Sequence, residues 1–546
     1  MIVQRQNSAY DRTDSTASGC QFKRATSARF FLFIFSEERD CVQRRENRFF
    51  AAMPSFFSIL ACVMFVGILL VLIVGERWLE PFYENKSLIK NSVLWLAALA
   101  GAGVLGLMAR RVKLSPIHER RSLWLTRLVF LCVLAMQFVI ARACWYKMGW
   151  DISVAYTTAE ELARGEMLSN PDYFKLCPNN APLTMLQFVP MWVAVRIGLA
   201  VPFVVLPYID AVLLNLSAYV LVRCVQKLTP NRVSRAFAMA LAVCWIALSP
   251  YILYPYTDSF AILFPVLAFY AYLRINQPVV KAFVISLLCF VGASVKPTVL
   301  IVLIALAILS VCGFLARGDF SRRALLRALA VVAAVVVGML PGRWFQSAST
   351  EYLAGSAVPE GQLSEMHYLM LGMNGETFGG HSPSDVEFST SYESLSERRS
   401  ANISRAWERL SGRSLAQNAH FFAVKTFKAY NDGSFASHSS FLELEVPRRA
   451  DALSRFLREC YHHGGAYVPY FQTAAQGLWL MILMLCARGC LQLRRRPEIA
   501  VLALTLLGVT AYLLLFEVWP RYLFLYAPFF AILASMAAEK SLCSKQ

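Results

Sequence analysis

The chain has 546 residues, of which 57% are hydrophobic and only 16% are charged. Such a high apolar share excludes a water-soluble globular protein, in which roughly a quarter of the residues are charged. The formal net charge of +18 is typical of many nucleic-acid-binding proteins. Here, however, the basic residues lie between apolar segments, which is the pattern of a membrane protein and argues against a nucleic-acid partner.

Residues 1–52 are polar and rich in Ser and Arg. Their one apolar run, RFFLFIF, is too short to cross a bilayer. They are predicted to form a disordered, basic cytoplasmic extension, with Met53 as an alternative start. No cleavable signal peptide is evident, so the first apolar helix is expected to act as an uncleaved anchor.

Twelve apolar segments follow, and a helix needs about 20 such residues to cross the hydrocarbon. The segments begin near residues 56, 92, 123, 205, 236, 259, 279, 297, 327, 474, 497 and 520. The sequence therefore predicts an all-α polytopic membrane protein with about 12 transmembrane helices. We expect a membrane core over 53–345, a large extracytoplasmic loop over 346–470, and C-terminal transmembrane helices over 471–546.

Basic residues cluster in four of the predicted loops, and such clusters mark the cytoplasmic side of a membrane. They are Arg110, Arg111, Lys113, Arg120 and Arg121, then Arg223, Lys227, Arg232 and Arg235, then Arg317, Arg322, Arg323 and Arg327, and finally Arg494, Arg495 and Arg496. Placing all four loops inside also places both termini inside. This predicts a multi-pass protein of the plasma membrane with cytoplasmic termini.

The apolar stretch 183–204 must not cross the membrane completely, because an extra crossing would invert every later loop. It carries Arg196 and two prolines, Pro190 and Pro202. We predict an outer interfacial helix that the prolines break.

Charged residues gather on the predicted outer side, at the ends of several spans. They are Asp151 in the first outer loop (147–204), Asp258 after the fifth span, Lys296 after the seventh, and Glu517 and Arg521 after the eleventh. Each also has a structural interpretation, since snorkelling makes charges common at membrane edges. Asp151 and Asp258 suit helix caps, Lys296 a helix start, and Glu517 and Arg521 an ion pair.

The outer segment 346–470 is polar and mixed in character. Glycines and Asn374 in MLGMNGETFGGHSPSD indicate turns, and an amphipathic stretch follows over 394–430. Glu376 and Asp385 are candidate acceptor contacts. The histidines lack metal-ligand spacing, and the predicted topology permits a disulfide between Cys177 and Cys460.

Three short motifs, GWD at 149–151, NNAPL at 179–183 and YPYTDSF at 254–260, resemble motifs of the GT-C superfamily of membrane glycosyltransferases. The similarity is to the arabinose-transferring and protein mannosyltransferase branches and to lipid-linked mannosyl- and glucosyltransferases. It covers about residues 123–345 and the last two spans, although this chain has Ala-Pro in place of the usual Pro-Pro and no DxD. The resemblance implies a polyprenyl-phosphate sugar donor, carrying mannose or another hexose or pentose. The acceptor would be a glycolipid, a wall polymer or a protein.

Transfer from a sugar phosphate to a hydroxyl needs a base near the acceptor and positive charge at the phosphate. We expect Asp151 to be the base of an inverting displacement. The other candidate roles are catalysis or acceptor orientation for Asp258, phosphate binding for Lys296, Arg521 and Arg343, and acceptor binding for Tyr254, Tyr256, Asn180 and Glu376. Asp258 is expected to stay hydrated at the rim of a water-filled site. No cofactor is required, and a divalent cation at Asp258 is an alternative.

Rival functions stay open at this point. A cell-envelope polysaccharide polymerase or ligase also carries a large late outer loop, and would depend on arginines such as Arg343, Arg405 and Arg409. A lipid-linked sugar flippase or transporter predicts charged or broken helices at the midplane and similar halves, but the sequence has no internal repeat. A membrane scaffold without activity is a further alternative.

Overall fold

The computed structural model describes residues 47–80, 83, 87–111, 119–438, 443–445 and 451–539, and within these it is almost entirely helical. The helices and strands are α1 (Arg48–Ile73), α2 (Asn91–Arg111), α3 (Glu119–Cys144), β1 (Lys147–Met148), α4 (Asp151–Arg164), α5 (Ala181–Arg196), α6 (Val205–Leu228), α7 (Arg232–Leu241), α8 (Thr257–Ala261), α9 (Leu263–Arg274), α10 (Pro278–Val295), α11 (Leu300–Arg317), α12 (Arg322–Ala354), α13 (Glu365–Gly372), α14 (Pro383–Thr390), α15 (Leu395–Ser411), α16 (Leu415–Tyr430), β2 (Glu443–Glu445), α17 (Ala452–Tyr461), α18 (Val468–Gln492), α19 (Pro497–Leu515) and α20 (Ala527–Met536).

Ten helices of the described residues are long and apolar enough to cross a membrane. They are α1, α2, α3, α6, α7 with its extension to Leu253, α10, α11, α12, α18 and α19. This confirms an all-α polytopic membrane fold and matches ten of the twelve predicted segments.

The two remaining predicted segments are shorter than full spans. The one expected from residue 259 is divided into α8 and α9. Pro265 explains the division, because it has no N–H to donate to the carbonyl of Ala261, where α8 ends. The last segment, Pro520–Met536, begins as a 3₁₀ turn and continues as α20.

The basic loops meet at one end of the bundle. Arg496 donates to the carbonyl of Leu228 at 3.0 Å and pairs with Glu539 at 2.8 Å. At the same end of their helices, the Asn47 N–H donates to the carbonyl of Ala316 at 3.0 Å. The beginning and the end of the described chain therefore both lie beside basic loops.

The predicted interfacial helix of the first outer loop, α5, differs from the prediction. α5 continues through Pro190 rather than breaking there, because a proline removes only one helical hydrogen bond and a helix can tolerate its loss. With 16 residues α5 is shorter than a full span, and it exposes apolar side chains such as Val189 and Val193. The expected break occurs later, before the 3₁₀ turn that begins at Pro202.

The predicted boundary between the membrane core and the outer region falls inside a helix. α12 is a continuous 33-residue helix, about 50 Å long, and so exceeds the hydrocarbon thickness of about 30 Å. Gly338 and Gly342 on α12 pack closely on α10, since a Cβ atom at Gly342 would lie 2.3 Å from the carbonyl of Phe290. Beyond residue 345, Leu353 and Ala354 of α12 pack with Phe174 and Ala181 of the first outer loop.

The N-terminal boundary also shifts. α1 begins at Arg48, with the Asn47 side chain accepting from the Phe49 N–H at 3.2 Å, so the first helix starts before the predicted limit at residue 52. Residues 1–46 of the extension predicted over 1–52 lie outside the described residues.

The predicted outer region, residues 346–470, contains α13 to α17. The predicted amphipathic stretch is two helices, α15 and α16, which are separated at Gly412. β1 pairs antiparallel with β2 and so joins the first outer loop to the late outer region. Cys177 and Cys460 are both free, so the disulfide that the topology permitted is not formed.

Candidate functional site

The site lies where several spans end, at the opposite end from the basic loops. Asp258 is in α8, which follows the span that ends at Leu253. The turn before it is closed by Ser259, whose hydroxyl donates to the carbonyl of Tyr254 at 2.6 Å. This short helix holds the Asp258 carboxylate inside the protein.

Asp258 and Lys296 form a buried ion pair. The Asp258 side chain is fully buried, and its Oδ1 accepts from the ammonium group of Lys296, which is 7% exposed. Its Oδ2 has no hydrogen-bond partner among the described residues. The prediction of a hydrated acid at the rim is therefore wrong, and so is the helix-cap alternative, because tertiary packing brings Lys296 onto the carboxylate. Since Lys296 already neutralises it, Asp258 is a poor ligand for a divalent cation.

Arg521 has a different environment. Its guanidinium donates to the Tyr254 hydroxyl at 3.3 Å and lies over the rings of Tyr256 and Tyr522, at 5.3 and 5.2 Å from their centres. No carboxylate pairs with it in the part of the chain that the structure describes. The expected ion pair with Glu517 is absent, because Glu517 accepts instead from the Tyr522 hydroxyl at 2.7 Å. Arg521 is thus a partly accessible cation on an aromatic floor formed by Tyr254, Tyr256 and Tyr522. Such a cation is suited to bind an anion.

Tyr254 and Tyr256 contact Arg521 but do not form an open surface. They are 1% and 6% exposed, so the expectation that they line the interface or stack on sugar rings is wrong. They are buried because α8 and the 3₁₀ turn that begins at Pro520 close over them. Their role in the structure is to position the guanidinium.

Asn180 links this floor to the first outer loop. Its side-chain oxygen accepts from the Tyr256 hydroxyl at 3.4 Å, and its amide donates to the Tyr173 hydroxyl at 2.6 Å. The sequence motif around Asn180 and the one around Tyr256 are therefore in direct contact. Asn180 is 1% exposed, so it holds the Tyr256 hydroxyl from inside the protein.

Asp151 is the first residue of α4 and is exposed to solvent. Burial, and after it the charge of Asp151, raises the pKa of Tyr256. The same two causes raise the pKa of Cys177 to about 12. An exposed carboxylate at a helix N-terminus is also stabilised by the helix dipole.

The backbone immediately before Asp151 is strained. Trp150 has φ 66° and ψ −158°, a combination that is almost confined to glycine. Its indole is 70% exposed. Strain of this kind persists only where the surroundings hold it, and it is concentrated at functional sites. The conformation presents Asp151 and Trp150 together to the solvent.

Two predicted members are not brought to the site. Arg343 is exposed on α12 and lies over the ring of Phe290, 5.8 Å from its centre. Glu376 is exposed in the turn after α13, and its backbone N–H donates to the Asn374 side chain at 2.9 Å. Neither has a described contact with Arg521 or Asp258.

Sequence reasoning missed two buried lysines on α16. Lys425 is fully buried and donates to the carbonyls of Gly372 and Phe516 at 2.6 and 2.8 Å. Burial, and after it the charge of Lys428, lowers the pKa of Lys425 to about 7. Lys428 lies over the ring of Trp519, 5.0 Å from its centre. These lysines hold the outer region onto the segment that carries Arg521, and their spacing of three in KTFKAY was the available signal.

Asp210 is a second missed residue. It lies fully buried in α6 beside Ser259, and neither carboxylate oxygen has a hydrogen-bond partner among the described residues. A lone acid within an apolar span is uncommon and was visible in LPYIDAVLL. Within the described ranges no group of three or more His, Cys, Asp or Glu side chains is arranged to hold a metal ion.

A model of the family described as "Conserved hypothetical integral membrane protein" matches residues 46–542. The chain belongs to this family. No curated protein and no solved structure matches the chain. The range that matches the conserved hypothetical integral membrane protein family includes Asp151, Asp258, Lys296 and Arg521, so the whole candidate site lies within the family's region.

Proposed function

We propose that the chain is a membrane glycosyltransferase that moves a sugar from a polyprenyl-phosphate donor to an acceptor hydroxyl. The observation that carries the proposal is that the Arg521 guanidinium lies over the ring of Tyr256, 5.3 Å from its centre, while the charge of Asp151 contributes to the raised pKa of the same tyrosine. An exposed carboxylate thus acts electrostatically on the tyrosine that carries a guanidinium with no ion-pair partner among the described residues. Transfer from a sugar phosphate needs these two groups, a base and a cation.

In the proposed reaction the acceptor O–H gives its proton to Asp151 while its oxygen attacks the anomeric carbon. The bond from that carbon to the phosphate oxygen breaks, and the phosphate leaves with the electron pair. Arg521 stabilises the leaving phosphate by charge-assisted hydrogen bonds. A single displacement of this kind inverts the anomeric carbon.

Lys296 and Asp258 have a supporting role in this proposal. Because they neutralise each other, the net positive charge that faces the donor is that of Arg521. Lys296 also lies over the ring of Tyr522, 4.7 Å from its centre, and Tyr522 in turn lies beneath Arg521. The pair therefore orients the aromatic floor.

The membrane orientation is part of the proposal. If the arginine-rich loops face the cytoplasm, as such loops usually do, the site opens on the outer face of the plasma membrane and both termini are cytoplasmic. A lipid-borne phosphate lies at that surface, where Arg521 can reach it.

The polymerase or ligase alternative has less support. It depended on arginines of the late region, but Arg409 is held by both oxygens of Asp385 at 2.6 and 3.0 Å. Arg405 and Arg343 lie over phenylalanine rings. These side chains do not converge on one anion site.

The test uses the purified chain in nanodiscs. A radiolabelled mannosyl polyprenyl phosphate is the donor probe, and polyprenyl phosphate and polyprenyl alcohol are the binding probes. Asp151→Asn should reduce transfer by about 10²–10⁴-fold and leave lipid binding unchanged, whereas Arg521→Gln should remove the preference for the phosphate over the alcohol. Asp172→Asn, which changes an exposed acid in the same loop, is the matched control. Transfer by Asp151→Asn within about threefold of the parent contradicts the assignment of the base.

A further inference from the structure

A separate cleft lies on the outer region, between α16 and the turn that follows α13. It has a volume of about 420 Å³, within the range of small-ligand sites. Its lining is largely apolar and consists of Gly375, Phe378, Arg413, Ala416, Gln417, His420 and Phe421. No residue of this lining belongs to the site around Arg521.

Arg413 is the charged group of this cleft. Its Nε donates to the Asn418 side chain at 3.0 Å and its Nη1 to the carbonyl of Met373 at 3.2 Å. Its Nη2 is buried and has no hydrogen-bond partner among the described residues. The guanidinium lies 3.8 Å from the ring centre of Phe421, which fixes its plane. One guanidinium nitrogen in a preorganised position therefore lacks a hydrogen-bond acceptor among the described residues.

The charge of Arg413 is not balanced nearby. The neighbouring Arg409 is neutralised by Asp385, but no carboxylate pairs with Arg413 in the described ranges. Burial, and after it the charge of Arg409, lowers the pKa of Arg413, and an arginine stays charged in spite of such a shift. An unpaired, partly buried cation favours an anion.

The apolar part of the cleft is also held in place. Phe378 has φ 49°, in the left-handed region that few non-glycine residues adopt. Its ring stacks on Phe421, with centres 5.9 Å apart, and meets the edge of His420 at 6.2 Å. The aromatic groups form a wall beside the guanidinium.

We propose that this cleft binds a small ligand with an aromatic or apolar body and one phosphate or carboxylate group. The anionic group accepts from Arg413, and the apolar body packs against Phe378 and the exposed Ala416 and His420. This inference is independent of the proposed glycosyl transfer, because the two sites share no residue. The turn that carries Phe378 also accepts from the Val518 N–H through Gly379 at 2.8 Å, so a ligand here would contact an element that borders the membrane site.

The test is calorimetric titration of the full chain in detergent with phenyl phosphate, inorganic phosphate and phenol. We expect phenyl phosphate to bind more tightly than either of the other two, because only it carries both features. Arg413→Gln should weaken phenyl phosphate binding at least about tenfold, as expected for loss of a charge-assisted hydrogen bond. Arg405→Gln, which removes an exposed arginine of α15 outside the cleft, should leave it unchanged.

Two further variants keep the test decisive. Ala416→Phe fills the cleft and keeps Arg413, so it should abolish binding even if Arg413→Gln fails to fold. Arg521→Gln should have no effect, which separates this cleft from the proposed donor site. Three results would overturn the proposal. Binding could survive both Arg413→Gln and Ala416→Phe, it could disappear in Arg521→Gln, or it could be equal for inorganic phosphate and phenyl phosphate.

Discussion

At the scale of single residues, burial and pairing decide which charged groups are free to react. Asp258 and Asp151 looked alike in the sequence, as acids at the ends of spans. One is fully buried against Lys296 and the other is exposed beside a strained tryptophan. A buried charge is stable only with its partner, whereas an exposed carboxylate can accept a proton from a substrate.

The buried pair gives the first prediction. Asp258→Asn leaves the Lys296 ammonium buried without a counter-charge, so it should reduce the free energy of unfolding by about 3–5 kcal/mol. Thermal unfolding of the purified chain in detergent measures the loss. The double variant Asp258→Asn with Lys296→Met should recover much of it. A double variant no more stable than the single one would show that the two side chains are not energetically coupled.

His367 gives a prediction on pH. Burial, more than any nearby charge, lowers the pKa of His367 from 6.5 to about 4, and its ring contacts the Ser389 hydroxyl at 2.7 Å. Between pH 4 and 6.5 the unfolded chain therefore binds more protons than the folded one, so stability rises with pH through this window. The contribution is complete above pH 6.5, and about 3 kcal/mol of it is lost at pH 4.

Unfolding temperatures measured from pH 4 to pH 7 test this dependence. His367→Gln should flatten the curve in that window, and the matched variant His420→Gln, at an exposed histidine whose charge is not among the causes of the His367 shift, should leave it steep. Parallel curves for His367→Gln and the parent chain would contradict the assignment.

At the scale of elements, the site is built from the ends of helices and the turns between them. α4 supplies Asp151, α8 supplies Asp258, and the turn that begins at Pro520 supplies Arg521. Long apolar helices provide a rigid frame, and the charged groups of the site lie at their ends because charge is expensive to bury in lipid.

The contact between α12 and α10 gives a prediction at this scale. A Cβ atom at Gly342 would lie 2.3 Å from the carbonyl of Phe290, so Gly342→Ala should force the helices apart and lower stability by about 1–3 kcal/mol. Gly67→Ala in α1 is the matched control, since a Cβ atom there has nothing within 4 Å. It should be neutral or should stabilise α1 slightly. Equal effects of the two substitutions would show that the close packing is unimportant.

At the scale of the whole molecule, the two ends of the bundle differ in charge. The arginine-rich loops meet at one end, as in the contact of Arg496 with Leu228, and the candidate site occupies the other. This asymmetry predicts the orientation in the membrane.

Cysteine labelling in intact cells tests that orientation. A cysteine at Ser384, in the outer region, should react with a membrane-impermeant maleimide added outside, and one at Arg323 should react only after the membrane is permeabilised. Both positions are exposed, so accessibility within the protein does not separate them. The reverse pattern would place the site in the cytoplasm and would remove the support for a polyprenyl-phosphate donor.

Much of the fold was determined by the sequence alone. All ten described helices with the length and hydropathy of membrane spans agree with predicted segments, because a helix that crosses lipid must be apolar along its whole length. The grouping of the basic residues in loops was equally clear from the sequence. Helix boundaries were harder to predict from the sequence: α12 continues past the predicted limit at residue 345, and α5 continues past Pro190.

Only the tertiary structure decided how the candidate residues are used. The sequence proposed Asp258, Lys296 and Arg521 as separate groups. The fold pairs the first two, and the third has no ion-pair partner among the described residues. It also leaves Arg343 and Glu376 apart from the site. The physical reason is that hydropathy acts along the chain and is visible in any local window, whereas the ionisation and reactivity of a side chain depend on neighbours that lie far away in sequence.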